Sequence, residues 1–488
     1  MSVEVNAIAA RLREMGLLVR SRGALPARVA EVTDDSRAVK PGWLFVAVRG
    51  SARDGHEYLP AVAAQGAAAA IVEDESATSL PALVVSDARR AAAAAAAVRH
   101  GDPAKRLTLV GVTGTNGKTT TVGLLRHLLD DGAARAASIG TLGVLVGSEG
   151  TPLEGGSGLT TPGPIELQRV LASLVARGVT TVAMEVSSHS LHQRRVEGLR
   201  FAAGIFTNLT RDHLDYHGTM EEYFAAKALL VGLLTDDGAS IVNADDDAWR
   251  ALPTAPRRLT FSAEGRAADV RALDVRYRPR GSEWTLAAGD ARAAVRLPLI
   301  GAFNVANALG AAAAALALGR DPSDVAGRLT GSPQVPGRLE LLSDSPAVLR
   351  DYAHTPDALE RALDAVRPFA TRRLIVVFGA GGDRDRGKRP EMGAIAARMA
   401  DVAIVTSDNP RTEDPERILD DIEAGMNGRA HERIEDRHAA IARALEIAGP
   451  DDVVVLAGKG HETYQIRGTV KHHFDEKEIV RELTVGKR

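Results

Sequence analysis

Short apolar runs, each bounded by turn residues or followed by a helical pattern, recur along this chain. Between residues 105 and 338 they are RLTLVGVTG, TTVAMEV, AAGIFTNL and ASIVNAD. Such β-rich runs read as strands, and strands alternating with helical segments argue βαβ units and a parallel sheet. The alternation breaks near 270–289, where VRALDVRYRPRGSEWTLAAG predicts a more antiparallel excursion. From 339 it resumes with RRLIVVFGAGG, DVAIVTSDNP and DDVVVLAGKG, a second α/β domain whose three strands each run into a glycine-rich or polar loop. Open α/β sheets bind ligands beyond the carboxyl ends of their strands. Residues 1–104 form a smaller mixed unit. There GWLFVAVRG and PALVVSD read as strands, and YLPAVAAQGAAAAIVED as a helix running into a strand. The alanine runs at 67–70 and 91–97 are read as helices, because Ala is the best helix former. The pattern predicts an α/β protein with domains at 1–104, 105–338 and 339–488.

Length agrees: at roughly 100–200 residues per domain, 488 residues supply about three. The net charge of -3 gives no basic field for nucleic acid, and there is no acidic tail. With no Cys, disulfides, iron–sulfur clusters and thiolate zinc sites are excluded. The opening MSVEVNAIAARLREMGLLVRSRG is charged throughout and has no apolar signal-peptide core. The uncharged stretch LPLIGAFNVANALGAAAAALALG at 297–319 is long enough to span a membrane. Its Pro298, Asn304 and Asn307, and its alanine-rich second half, suit a buried helix instead. A soluble, cytoplasmic protein with no membrane insertion and no nucleic-acid partner is expected.

The first chemistry lies in VGVTGTNGKTTT, residues 110–121. A strict P-loop needs Gly where this chain has Val112. What remains is Gly114, Gly117, Lys118, Thr119 and Thr120 between a strand and a helix. Glycines let backbone N–H groups face phosphate oxygens, and a helix N-terminus favours an anion. Lys118 can reach the terminal phosphates, and Thr119 or Thr120 can ligate Mg²⁺. A plain glycine turn before a helix is the bland alternative.

Other loops add charge at strand ends. Glu185 ends the strand in AMEVSSHSL, placed to hold Mg²⁺ beside the cradle. FTNLTRDHLDYHG puts Asp212, His213, Asp215 and His217 within six residues, without the spacing of a zinc site. Lys227 lies on the apolar side of the helix in MEEYFAAKALL, where a lysine normally snorkels. Asn304 and Asn307, three apart, share a helix face. Arg338, Asp351 and His354 lie near the boundary of the second and third domains, where an Arg suits phosphate clamping. FGAGGDRDRGKR begins like a dinucleotide fingerprint but has Arg384 at the third Gly position, so a nicotinamide or flavin cofactor is rejected.

Together GVTGTNGKTTT, EVSSHSL, FTNLTRDHLDYHG, GAFNVANAL, RDYAHTPDAL, GGDRDRGKRP, SDNPRTEDP and AGKGHETYQ resemble the Mur ligase family, and within it the members that add diaminopimelate. The resemblance runs from DDSRAVKPGWLFVAVRG to the last strand. It implies a three-domain, ATP-dependent amide ligase with a central P-loop parallel-sheet ATPase domain and a C-terminal Rossmann-like domain. The implied substrates are ATP, diaminopimelate and UDP-N-acetylmuramoyl-L-alanyl-D-glutamate, with Mg²⁺ as cofactor and a monomeric chain. By resemblance, Ser36 and the loop Ser51, Ala52 and Arg53 contact the uridine nucleotide. Thr160, Thr161, Ser187, Gln193 and Arg195 match contacts to the muramoyl-dipeptide. Gly114, Thr115, Asn116, Gly117, Lys118, Thr119, Thr120, Asn304, Arg338, Asp351 and His354 match the ATP site. Thr119, Glu185 and His213 match the magnesium neighbourhood, and Lys227 matches a lysine that the family carbamylates. Lys118, Glu185, His213 and Lys227 are the candidate catalytic groups.

Arg384, Asp408, Asn409, Pro410, Arg411, Gly458 and Glu462 match the amino-acid site. Arg at the end of DNPR accompanies diaminopimelate in this family. The physics agrees: diaminopimelate differs from lysine by a distal carboxylate, and a guanidinium pairs with carboxylates through two parallel hydrogen bonds. Glu462 could hold the distal ammonium. As a bland alternative, DNPRTEDPE is a strand-to-helix turn with Pro415 in the first helical turn. The rival functions are a lysine-adding ligase of the same family and a P-loop ATPase without ligation chemistry. DNPR argues against the first, and the substrate loops of the third domain against the second.

Overall fold

A computed structural model describes residues 2–50, 53–153 and 158–485. Two compact units are present: Met1–Val270 with Asn307–Asp321, and Arg271–Ala306 with Pro322–Arg488.

In the first unit, the N-terminal region carries a five-stranded sheet in the order Leu18–Arg22, Ala82–Val85, Ala69–Val72, Leu44–Val46, Val32–Thr33. The first pair is antiparallel and the others parallel. Ala88–Arg99 packs on it as a helix, with Asp87 accepting a hydrogen bond from the Arg90 N–H as its N-cap. Ala91 to Ala96 are all buried in that helix, so the second alanine run is helical as expected. The first is not. Residues 69–72 form a strand, buried at every position. Gly66, at φ +89°, stops the preceding helix, and pairing with both neighbouring strands outweighs alanine's helical preference.

The rest of this unit is a sheet whose parallel part runs Ala136–Gly140, Thr181–Glu185, Thr108–Thr113, Phe201–Phe206, Leu234–Asn243, Arg257–Ser262. Thr108–Thr113 is first in sequence but central in space. The chain builds one side of it and then crosses to the other, which opens a crevice at its carboxyl end. The helix Ala302–Ala317 is the uncharged stretch read from sequence, and from Asn307 on it belongs to this unit. Its Gly310 lies against Phe261 and Ile205. No helix among the described residues is long and apolar enough to cross a membrane.

The second unit holds a six-stranded sheet ordered Glu340–Asp344, Ala347–Asp351, Val453–Ala457, Leu374–Phe378, Val402–Val405, Glu432–Arg433. Only the first pair is antiparallel. Helices cover both faces. Pro356–Val366, Lys388–Met399 and Pro415–Glu423 bury apolar residues against one side, and Arg437–Ile447 with Ile479 and Val480 against the other. Pro415 does open its helix. The expected antiparallel excursion includes the strand Gly281–Ala288, which pairs with Ala291–Leu297. That last strand, ARAAVRL, escaped the sequence reading because it carries few large apolar side chains.

Candidate functional site

In the first unit, the strand Thr108–Thr113 ends at Gly114, and the helix Lys118–Leu129 begins four residues later. Two glycines make the turn possible. Gly114 has φ +147° and Gly117 φ +87°. A Cβ on Gly114 would overlap the Thr207 hydroxyl, and one on Gly117 would overlap the Asn307 side-chain amide. The loop is braced from the FTNLTR segment. Thr115 N–H donates to Asn208 O at 2.8 Å, Asn116 N–H to Asn208 Oδ1 at 2.9 Å, and the Thr207 hydroxyl to Asn116 O at 2.7 Å. Lys118 Nζ donates to the loop's own carbonyls, Gly114 O at 2.9 Å and Thr115 O at 2.8 Å. Thr119 and Thr120 are buried in the helix's first turn. Gly117→Ala is expected to cost about 1–3 kcal/mol, from the backbone and the Asn307 overlap together, and to weaken nucleotide binding about tenfold or more. Thermal melts with and without ATP check this: an unchanged ligand-induced shift would contradict it.

Lys227, 1% exposed, reaches this loop from the helix Met220–Ala228. Its Nζ donates to Gly114 O at 2.7 Å and lies 4.3 Å from the centre of the Tyr223 ring. Burial, then the nearby Lys118 charge, push its pKa well below the usual lysine range. His213, at φ 53°, sits edge-on to His189 with ring centres 4.8 Å apart. His189 also lies 5.4 Å from His217 and 4.2 Å from Tyr216. Burial drives the His189 pKa down to about 4, with His213 and His217 adding to the shift, so the imidazole is neutral near pH 7. The sequence reading missed His189. The SSHS turn after a strand ending in Glu185 was the available signal. Glu185 is buried, its Oε1 accepting from Thr141 N–H at 2.8 Å and its Oε2 from the Thr141 hydroxyl at 3.2 Å.

The expected dipeptide contacts cluster near Glu185. Thr161 donates to Glu185 O at 2.9 Å and accepts from Ser187 N–H at 3.2 Å. Arg195 donates to Thr161 O at 3.0 Å and through Nη2 to Gln193 Oε1 at 2.7 Å. Thr160 accepts from Thr141 at 3.4 Å. Ser36 sits in a turn after the strand Val32–Thr33, and Arg53 donates to Tyr58 OH at 3.1 Å. Ser51 and Ala52 lie outside the described residues.

The second unit gathers the other set. Asp408, Asn409, Pro410 and Arg411 follow the strand Val402–Val405, and Gly458 and Glu462 follow Val453–Ala457. Gly458, at φ +119°, lets the loop approach so closely that a Cβ would overlap Asp408 Oδ2. Arg411 Nη1 donates to Gly382 O at 2.8 Å, and Arg384 Nη1 to Asp383 O at 2.9 Å. Arg389, fully buried, ties Glu413 and Asp421 beneath that loop and was not singled out in the sequence. Nor was Lys459, which is wholly buried among Asp408, Asn409 and Glu462.

Asp351, Arg338 and His354 also belong to this unit. Asp351 accepts from Leu339 N–H at 2.7 Å, and its pKa is raised to about 6 by burial, opposed by Arg338. Arg338 lies over the Tyr352 ring at 4.9 Å, and His354 Nδ1 faces Tyr352 O at 2.7 Å. Asn304 is buried, its amide donating to Ile300 O at 2.8 Å. In the first unit, Asn307 is placed against the cradle glycine Gly117.

His461 packs on Tyr352 with ring centres 5.5 Å apart. Burial lowers its pKa from 6.5 to about 4, helped by Arg338 and Arg350. Between those values the unfolded chain binds the proton and the folded one does not, so stability falls as pH drops through that window. Thermal midpoints are expected to decline from pH 7 to pH 4.5, and less steeply in His461→Gln. Parallel curves for the two proteins would contradict this.

Three family models match the chain: the Mur ligase family, catalytic domain, over residues 28–108; the Mur ligase middle domain over 112–315; and the Mur ligase, glutamate ligase domain over 337–460. A UDP-N-acetylmuramoyl-L-alanyl-D-glutamate–2,6-diaminopimelate ligase of Gloeobacter violaceus is 46% identical over 94% of this chain and 94% of its own. One of the same name from Geobacillus kaustophilus is 44% identical over 92% of this chain and 93% of its own. A solved structure of a ligase of that name superposes with a TM-score of 0.70 at 34% identity, covering 100% of this chain and 99% of the other. The MurF ligase of Thermotoga maritima in complex with ADP, at 19% identity and TM-score 0.65, covers 93% of this chain and 96% of its own and shares the fold. The α/β chain, with its glycine-bent loop after the central strand and its second, mostly parallel sheet, belongs to the Mur ligase family and has its three-domain architecture.

Proposed function

We propose that this protein is an ATP-dependent ligase that joins diaminopimelate to UDP-N-acetylmuramoyl-L-alanyl-D-glutamate in peptidoglycan precursor synthesis. The observation that carries the reading is near-full-length identity of 46% to relatives of that name, in a chain that keeps Arg411 in DNPR and the glycine–lysine cradle. The proposed domains are 1–104 for the uridine nucleotide, 105–338 for ATP and 339–488 for the amino acid. The chain acts as a monomer in the cytoplasm on small-molecule substrates.

The chemistry explains the residues. A carboxylate does not condense with an amine in water at a useful rate. An oxygen of the substrate carboxylate therefore attacks the terminal phosphorus of ATP, and ADP leaves. The amine, having lost its proton, then attacks the acyl carbon, and inorganic phosphate departs from the tetrahedral intermediate as the amide forms. Both reacting groups belong to substrates, so the protein needs no nucleophile of its own; it positions them and neutralises charge. Backbone N–H groups at the start of the helix Lys118–Leu129 face the phosphates, and Lys118 exchanges its loop carbonyls for phosphate oxygens. Thr161, Ser187, Gln193 and Arg195 orient the dipeptide.

The donor set suits magnesium. Among the described residues no cluster of three or more His, Asp or Glu side chains could cage a metal, but Mg²⁺ takes only one or two carboxylates and keeps waters and phosphates as its other ligands. Thr119 and Glu185 would hold it, with His213 and a carbamate on Lys227 serving a second position. Bound there, Mg²⁺ offsets repulsion between the triphosphate and the incoming carboxylate. Lys227 is suited to carbamylation because burial and the Lys118 charge favour its neutral amine, the form whose nitrogen attacks the carbon of CO₂ and releases a proton.

The test is phosphate release from ATP and Mg²⁺ with the muramoyl-dipeptide, given meso-diaminopimelate or L-lysine, with product mass measured. Release and a new amide only with diaminopimelate are expected. Release in both without an amide would mean the cradle serves an ATPase of another kind.

A further inference from the structure

Lys459 is the one lysine in the second unit's substrate loops that is wholly buried, and nothing in the reaction described above uses it. Its Nζ lies 3.0 Å from Asn409 Oδ1, 3.2 Å from Glu462 Oε2 and 3.5 Å from Asp408 Oδ1. These three residues come from two loops that follow different strands of the sheet. Asn409 completes the knot: its Nδ2 donates to Glu462 Oε2 at 2.9 Å, and its Oδ1 also accepts from Ile466 N–H at 2.9 Å. Glu462 is thus held by one oxygen through two donors. Its other oxygen, Oε1, takes no hydrogen bond among the described residues. Asp408 is buried too, and its pKa is held down by Lys459 and Arg437 against the cost of burial.

We propose that Lys459 is the positioning residue of the amino-acid site. It clamps Glu462 and Asn409 so that Glu462 Oε1 faces the substrate ammonium, and it cancels one of the two carboxylate charges in the pocket. A buried ammonium serving only stability is expensive to desolvate. Here it touches three candidate substrate residues at once, which is what fixing a recognition geometry requires. Without it, the buried Asp408 carboxylate and the partly buried Glu462 would lose the cation between them, and Glu462 would keep only the Asn409 amide to hold its orientation. The inference rests on the functional reading above, since it assigns that reading's amino-acid pocket an internal counter-ion.

The test is steady-state kinetics of Lys459→Met, a side chain of similar length without charge. The expected result is a KM for diaminopimelate raised about tenfold or more, as for loss of a hydrogen bond to a charged group, with KM for ATP and for the muramoyl-dipeptide within about twofold of wild type. All three KM values rising together would overturn the proposal. Glu462→Gln and the double variant Lys459→Met/Glu462→Gln supply the second measurement, and the double lacks the unpaired Glu462 charge if the single fails to fold. If Lys459 acts through Glu462, the double equals Glu462→Gln alone; a further loss of about tenfold in the double would overturn the proposal. The wild-type control separates the two failures: a wild-type chain that ligates no amino acid overturns the functional reading itself, before any variant is compared.

Discussion

Lys227→Ala is expected to lose about 10³-fold in kcat for ligation, the scale seen when a preorganised charge is removed from a transition state. A lysine 1% exposed, beside a second lysine and against an aromatic ring, is a poor place for a cation. Its direct hydrogen bond goes to Gly114 O, a carbonyl of the cradle that Lys118 also uses. Conversion of the amine to a carbamate replaces the unwelcome cation with two oxygens at the edge of the nucleotide loop. If that is its working form, a short carboxylic acid added to Lys227→Ala restores part of the rate, because it supplies the same oxygens. Rescue by methylamine instead would assign the role to the ammonium, and a wild-type rate in the variant would remove Lys227 from the mechanism. The fold should survive, since the residues that shape the loop, Thr207, Asn208 and the two glycines, are untouched.

The cradle was legible because its information is local. A β-rich run, two glycines, Lys-Thr-Thr and a helical pattern follow one another without a gap, and each reads from its own neighbours. Its braces were not. Asn208 hydrogen-bonds to Asn116 across 92 residues of sequence, and only the packing of two adjacent strands brings them together. The same limit applies to Lys459. It is the second residue of GKGHE, but only burial separates it from the many lysines that face water. The imidazole group was half legible: His213 and His217 share a short polar loop, whereas His189 arrives from another strand end. The alanine run at 67–70 failed for a different reason. Alanine's helical preference is a few tenths of a kcal/mol per residue over most competitors, about what a buried strand position outweighs. Asn304 and Asn307 are three apart and share a helix face, but it is the folding of that helix onto the loop that brings Asn307 to the tight approach at Gly117.

Arg411→Ala is expected to raise KM for diaminopimelate about 10²-fold and to erase most of the discrimination against lysine. Arg411 has φ 52°, and its N–H donates to Ile466 O at 3.1 Å, so the backbone aims the side chain before substrate arrives. One nitrogen, Nη1, is pinned to Gly382 O at 2.8 Å. Nε and Nη2 take no partner among the described residues, and they form the edge of the guanidinium that pairs side by side with a carboxylate. Diaminopimelate supplies that carboxylate at its distal end; lysine does not, and would leave the edge desolvated and unpaired. The penalty against lysine therefore comes from the same atoms that hold the correct substrate, and removing them should cost diaminopimelate while leaving lysine nearly unchanged. Arg411→Lys should recover only part, because an ammonium offers a point charge rather than a fork. Competition between the two amino acids, scored by product mass, measures the ratio directly. A ratio unchanged in Arg411→Ala would place the reading of the distal carboxylate elsewhere, with Arg384 the next guanidinium among the substrate loops.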